Sequence, residues 1–123
     1  MWDMDIAFGN IAQVNQTCYD PTGFYIKNEQ WYSRLFNDPI FVARVKERFN
    51  YFYSSMNNIL ANINADAQYL KYSAQENDDK WHLLNTYTWS NYDIWGSYQN
   101  EVQGLKHWLV TRMEWLKTQY DNM

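Results

Sequence analysis

From residue 39 onward the apolar residues recur at three- and four-residue steps, and this period constrains the fold more than any other feature. Phe41, Val45, Phe49 and Phe52 make one such row. Ile59, Ile63, Ala67, Leu70 and Ala74 make a second. Val102, Leu105, Leu109, Met113 and Leu116 make a third, widened by Trp108 and Trp115. A 3.6-residue period places each row on one face of a helix. Stripes on short connections must cover one another, which predicts a mainly α fold, a helical bundle of three long helices plus a short one.

Punctuation sets the boundaries. The short helix is predicted from about Glu29 to Phe36, and Asn37-Asp38-Pro39 stops it and starts the next. Asp38 can cap, and Pro39 suits a first helical position because its missing N–H would be unpaired there. Helix two then runs to about Tyr53. Ser54 or Ser55 can cap helix three, which fades at Glu76-Asn77-Asp78-Asp79 because acidic groups oppose the dipole at a helix C-terminus. It either ends there or Asp78 and Asp79 cap a new turn holding Trp81 and Leu84.

Residues 85–96 read as an ordered loop packed by Trp89 and Trp95. Ser97 caps a last helix reaching about Gln119. Gly104 inside that helix costs about 1 kcal/mol relative to alanine, which points to close approach of another backbone.

Residues 1–28 are an irregular or extended segment. Asp20-Pro21-Thr22-Gly23 is a turn, combining a fixed φ with a permissive residue. Phe24-Tyr25-Ile26 is a short strand or an extended lead-in. One domain over residues 1–123 is expected: the irregular segment 1–28, then the bundle 29–123.

The net charge of −4 argues against a nucleic-acid partner, since phosphate binding needs a basic field. No apolar run approaches the roughly 18 residues of a membrane span, and no signal peptide is visible. A longer parent protein could be exported or held at the cell surface. One cysteine, Cys18, excludes an internal disulfide framework and is too few for a thiolate metal site. Aromatics reach 20% of the chain, with 7 Trp, 11 Tyr and 6 Phe. They build either a core of rings with Tyr hydroxyls at the surface or an aromatic binding surface. Trp89, Tyr92 and Trp95, close together in one polar loop, are the candidates for a glycan or peptide platform.

Chemistry is sparse. Asp3 and Asp5 point to one side of an extended segment, where two carboxylates can hold Mg²⁺. Cys18 has no neighbouring base that would make it a nucleophile. His82 and His107 lack metal-ligand neighbours and read as structural or surface residues. There is no glycine-rich phosphate loop.

Three stretches together resemble the CotH kinase family, the spore-coat-protein-H-like atypical protein kinases. The first is Trp-Asp-x-Asp-x-Ala-Phe-Gly at residues 2–9, followed by Gly-Phe-Tyr-Ile at 23–26. The second runs from Trp31-Tyr32 through Leu35-Phe36-Asn37-Asp38-Pro39 to Phe49. The third comprises Asp79-Lys80-Trp81, similar to the family's Arg-Trp element, and residues 97–116, similar to its closing helix.

The resemblance implies an ATP-dependent protein kinase with a divergent kinase fold, of which this chain would be the C-terminal helical subdomain. It assigns Mg²⁺ binding to Asp3 and, as an open alternative or addition, to Asp5. Family members occur in spore-forming bacteria and, elsewhere, as exported proteins.

A kinase also needs a lysine on the phosphates, a cover over the nucleotide and a catalytic aspartate. These are expected upstream of Trp2. Hence the chain alone is expected to be without catalysis or cofactor, with ATP and Mg²⁺ belonging to a full-length parent. Its expected partners are the upstream kinase portion or a second copy, met through the aromatic N-terminal segment.

Overall fold

The structure is a computed structural model that describes residues 8–12, 19–89 and 91–123. Among these residues there are five helices and no strand: α1 (Gln30–Leu35), α2 (Pro39–Ser54), α3 (Met56–Tyr69), α4 (Lys71–Trp81) and α5 (Tyr98–Asp121). The mainly helical fold read from the periodicity is the observed one. Helix α5 is the hub, packing against α2, α3 and α4.

Local chemistry accounts for the starts. The Asp38 side chain accepts the Ile40 N–H at 2.8 Å with Pro39 in the first turn of α2. Ser97 does the same for Asn100 at 3.2 Å at the head of α5. Both satisfy backbone donors that a helix N-terminus leaves unpaired.

The joint between α2 and α3 works differently from the expected cap. Ser55 occupies the N-cap position but makes no side-chain cap bond. Its hydroxyl and that of Ser54 both donate to the Tyr51 carbonyl, at 3.0 and 2.8 Å. Such back-bonding by serine disturbs the regular ladder and bends helices. The chain therefore turns at one residue, without a loop.

The expected third helix is divided at Leu70, yet the ladder hardly notices. Leu70 N–H donates to Asp66 at 2.9 Å, and Ala74 N–H donates to Leu70 at 2.9 Å. The acidic run does not end the helix. Helix α4 continues to Trp81 with Lys80 in its last turn, and His82 closes it in the left-handed conformation at φ 52°. Asp78 does cap the following turn, accepting the Leu84 N–H at 2.9 Å.

Two stripe assignments shift. Phe52 is half exposed, because the covered arc of α2 includes Val42, Lys46 and Tyr53 and leaves Phe52 on its rim. Leu70 is also half exposed, at the edge of a cleft. Every predicted α5 position, including Trp108 and Trp115, is at least partly covered.

The packing is ring against ring. Phe24 meets Trp115 edge-on with centroids 5.0 Å apart, and Tyr120 lies 4.9 Å from Phe49. Arg112 ties the 20–23 turn to α5. Its Nη1 donates to the Pro21 and Gly23 carbonyls at 3.0 and 2.6 Å, while its guanidinium lies over Tyr25 and Trp115. The turn is built as its sequence suggests, with the Asp20 carboxylate accepting the Thr22 N–H at 2.8 Å and Gly23 at φ +94°. Phe24-Tyr25-Ile26 is a lead-in, not a strand, and turns into α1 through a Glu29 N–H to Ile26 carbonyl bond of 3.1 Å.

Cover is nonetheless thin. Among the described residues Ile11, at 9% exposure, is the only buried hydrophobic side chain. Trp31 is 80% exposed and Ile40 71%.

Candidate functional site

An open cleft of about 580 Å³ lies between the α3–α4 joint, the head of α5, the 91–96 loop and residues 8–10 and 19. That volume suits a small-molecule site. Its aromatic walls are Phe8, Tyr19, Tyr92, Trp95, Tyr98 and Trp108. Asp66, Asp93 and Glu101 supply carboxylates, and among the described residues no Lys, Arg or His lines it.

Each wall is held by identifiable bonds. Asn10 Oδ1 accepts the N–H groups of both Tyr92 and Asp93, at 2.8 and 3.0 Å, fixing the loop over the N-terminal strap. Tyr92 stacks on Tyr19 with centroids 3.9 Å apart and planes 11° from parallel. The hydrogen bond with Tyr19 is the first cause raising the Tyr92 phenol above its ordinary pKa.

The Trp95 carbonyl accepts from Asn100 Nδ2 at 2.9 Å. The Trp95 ring lies where a Cβ on Gly104 would stand, 2.8 Å from its nearest ring atom. Gly104 is thus required by a side chain, an indole, and not by another backbone as expected.

Glu101 is the electrostatic centre of the cleft. Burial raises its carboxyl pKa, the Trp95 N–H opposes that shift, and the neighbouring Asp93 charge adds to it.

At the other wall, Trp108 Nε1 donates to the Tyr19 carbonyl at 2.7 Å. Its ring meets Phe8 edge-on at 6.0 Å and presses on Gly9, where a Cβ would fall 2.2 Å from Nε1. Phe8 and Gly9, at the end of the N-terminal motif, therefore seat directly on the closing helix. The chain matches the family described as CotH kinase protein over residues 1–116. This chain belongs to the CotH kinase protein family. No curated protein and no solved structure matches it significantly.

Of the predicted site residues, Tyr92 and Trp95 come together in the cleft of this CotH-family chain. Trp89, in the same loop, does not line it and is 73% exposed. Asp3, Asp5 and Cys18 lie outside the described residues. Among the described residues no group of three or more His, Cys, Asp or Glu could hold a metal ion. His82 is the left-handed cap of α4, and His107 is exposed on α5.

Sequence reasoning missed Asn10, Tyr19, Asp66, Asp93 and Glu101. Asn10 is 82 residues from its partner Tyr92, so no local spacing could join them. Glu101 carried one usable signal, an acidic group in the first turn after the Ser97 cap. No helix of the described chain is long and apolar enough to cross a membrane.

Proposed function

We propose that this chain serves as the C-terminal helical subdomain of a CotH-type protein kinase and performs no phosphoryl transfer by itself. The observation that carries the reading is the family match across residues 1–116, taken with a helical architecture centred on the closing helix. Supporting it, the sequence holds no glycine-rich phosphate loop, and large rings such as Trp31 on α1 stand exposed, as a docking surface for the rest of a kinase would require.

In the assembled kinase Asp3, with or without Asp5, would hold Mg²⁺, and ATP would be bound chiefly by other residues. The test is calorimetric titration of the folded chain with ATP and Mg²⁺. No saturable heat is expected; binding at micromolar affinity would show that a nucleotide site exists within these residues and would end the proposal.

A second reading is an aromatic binding module for a glycan or peptide. Tyr92 and Trp95 favour it by walling the cleft, whereas exposed Trp89 stands apart. A glycan array or peptide library that gives specific hits lost on Tyr92→Leu would favour this reading over the first.

A further inference from the structure

The cleft combines two features that select the same ligand chemistry. Aromatic faces attract a cation through their quadrupoles, with Trp and Tyr the best partners among ring side chains. Asp66, Asp93 and Glu101 stand around those rings, and among the described residues none of the three forms an ion pair. With no Lys, Arg or His among the described lining residues, no cationic side chain on the lining offsets this negative charge. The raised Glu101 pKa is what such crowding produces: burial first, then repulsion from Asp93.

A phosphate-bearing ligand would add negative charge to this cleft. A neutral sugar would leave the three carboxylates as they are. A positive ligand relieves them and uses the rings as well.

We infer that the cleft between α3, α5 and the 91–96 loop is a binding site for a small organic ammonium compound, its charged head set among Glu101, Asp93 and the rings of Tyr92 and Trp95. The volume of about 580 Å³ exceeds a bare ammonium head, so the ligand carries an apolar or aromatic body against Leu105 and Trp108. This inference deepens the binding-module reading and is independent of the kinase-subdomain one.

The probe pair is choline and its neutral isostere 3,3-dimethylbutan-1-ol, titrated into the intact chain and followed by amide NMR shifts. Choline is expected to shift the amides of Asn10, Tyr92, Trp95 and Gly104 saturably, at least about tenfold more tightly than the alcohol. Glu101→Gln and Asp93→Asn, both mild changes in a folded background, are each expected to weaken choline at least about fivefold and leave the alcohol unchanged. Equal binding of the two probes would overturn the inference, as would no saturable shift with choline or unaltered choline affinity in both variants. A neutral glycan that shifts these amides where choline does not would also overturn it, while leaving the binding-module reading standing.

Discussion

Gly9 offers the sharpest test of the packing, because Gly23 provides its control. Both glycines sit at positive φ, +90° and +94°, where an L side chain is strained. They differ in surroundings. A Cβ at Gly9 would fall 2.2 Å from Trp108 Nε1 and within 2.8 Å of two further ring atoms, whereas nothing lies within 4 Å of a Cβ at Gly23.

The strain cost is common to both, about 1–3 kcal/mol. Gly9→Ala adds overpacking of about 1–3 kcal/mol. It also disturbs the Trp108 to Tyr19 hydrogen bond, worth about 1 kcal/mol. The expected losses are about 3–7 kcal/mol for Gly9→Ala and about 1–3 kcal/mol for Gly23→Ala. Urea unfolding followed by far-UV circular dichroism measures both. An excluded osmolyte such as trimethylamine oxide holds the weaker variant in the measurable range. In a Trp108→Ala background the ring is gone, and Gly9→Ala should fall to the Gly23→Ala level, giving a coupling of about 2–4 kcal/mol. Equal losses for the two glycine variants, or no coupling to Trp108, would refute the seating of the N-terminal strap on α5.

Other outcomes follow from the same geometry. Arg112→Lys should lose about 1–3 kcal/mol by urea unfolding, because a single ammonium cannot bond the Pro21 and Gly23 carbonyls while stacking between Tyr25 and Trp115. Glu101 has a raised folded-state pKa, so its favourable contribution is present below the ordinary glutamate range and is lost as pH rises through the raised value. Glu101→Gln should therefore raise the melting temperature near neutral pH, and thermal scans should show the gain vanishing in acid. Asp20 acts with the opposite sign. The Thr22 N–H bond lowers its pKa, so its contribution is present above the ordinary aspartate range and fades as pH falls through the lowered value. Asp20→Asn should then cost melting temperature at neutral pH and little in acid. Exposed Trp31 and Ile40 predict self-association, which light scattering should register and Trp31→Glu should reduce; a strict monomer at high concentration would remove that expectation.

The sequence by itself determined the helical class and the starts of α2 and α5. Asp38-Pro39 and Ser97 act on backbone donors two or three residues away, and the stripes of α3 and α5 depend only on helical period. Local information of this kind survives without any knowledge of the fold. It failed where two local signals competed, as when Lys80 and the left-handed His82 carried α4 past an acidic run that should have stopped it.

Tertiary structure decided the cleft. Asn10 reaches Tyr92, Trp108 reaches Tyr19, and Gly104 makes room for the Trp95 indole from the preceding loop. The first two pairs lie more than 80 residues apart, and the third depends on which way a loop folds back over a helix. No spacing rule records such meetings, because they arise only when separate helical faces close on one another and hold distant side chains at bonding distance.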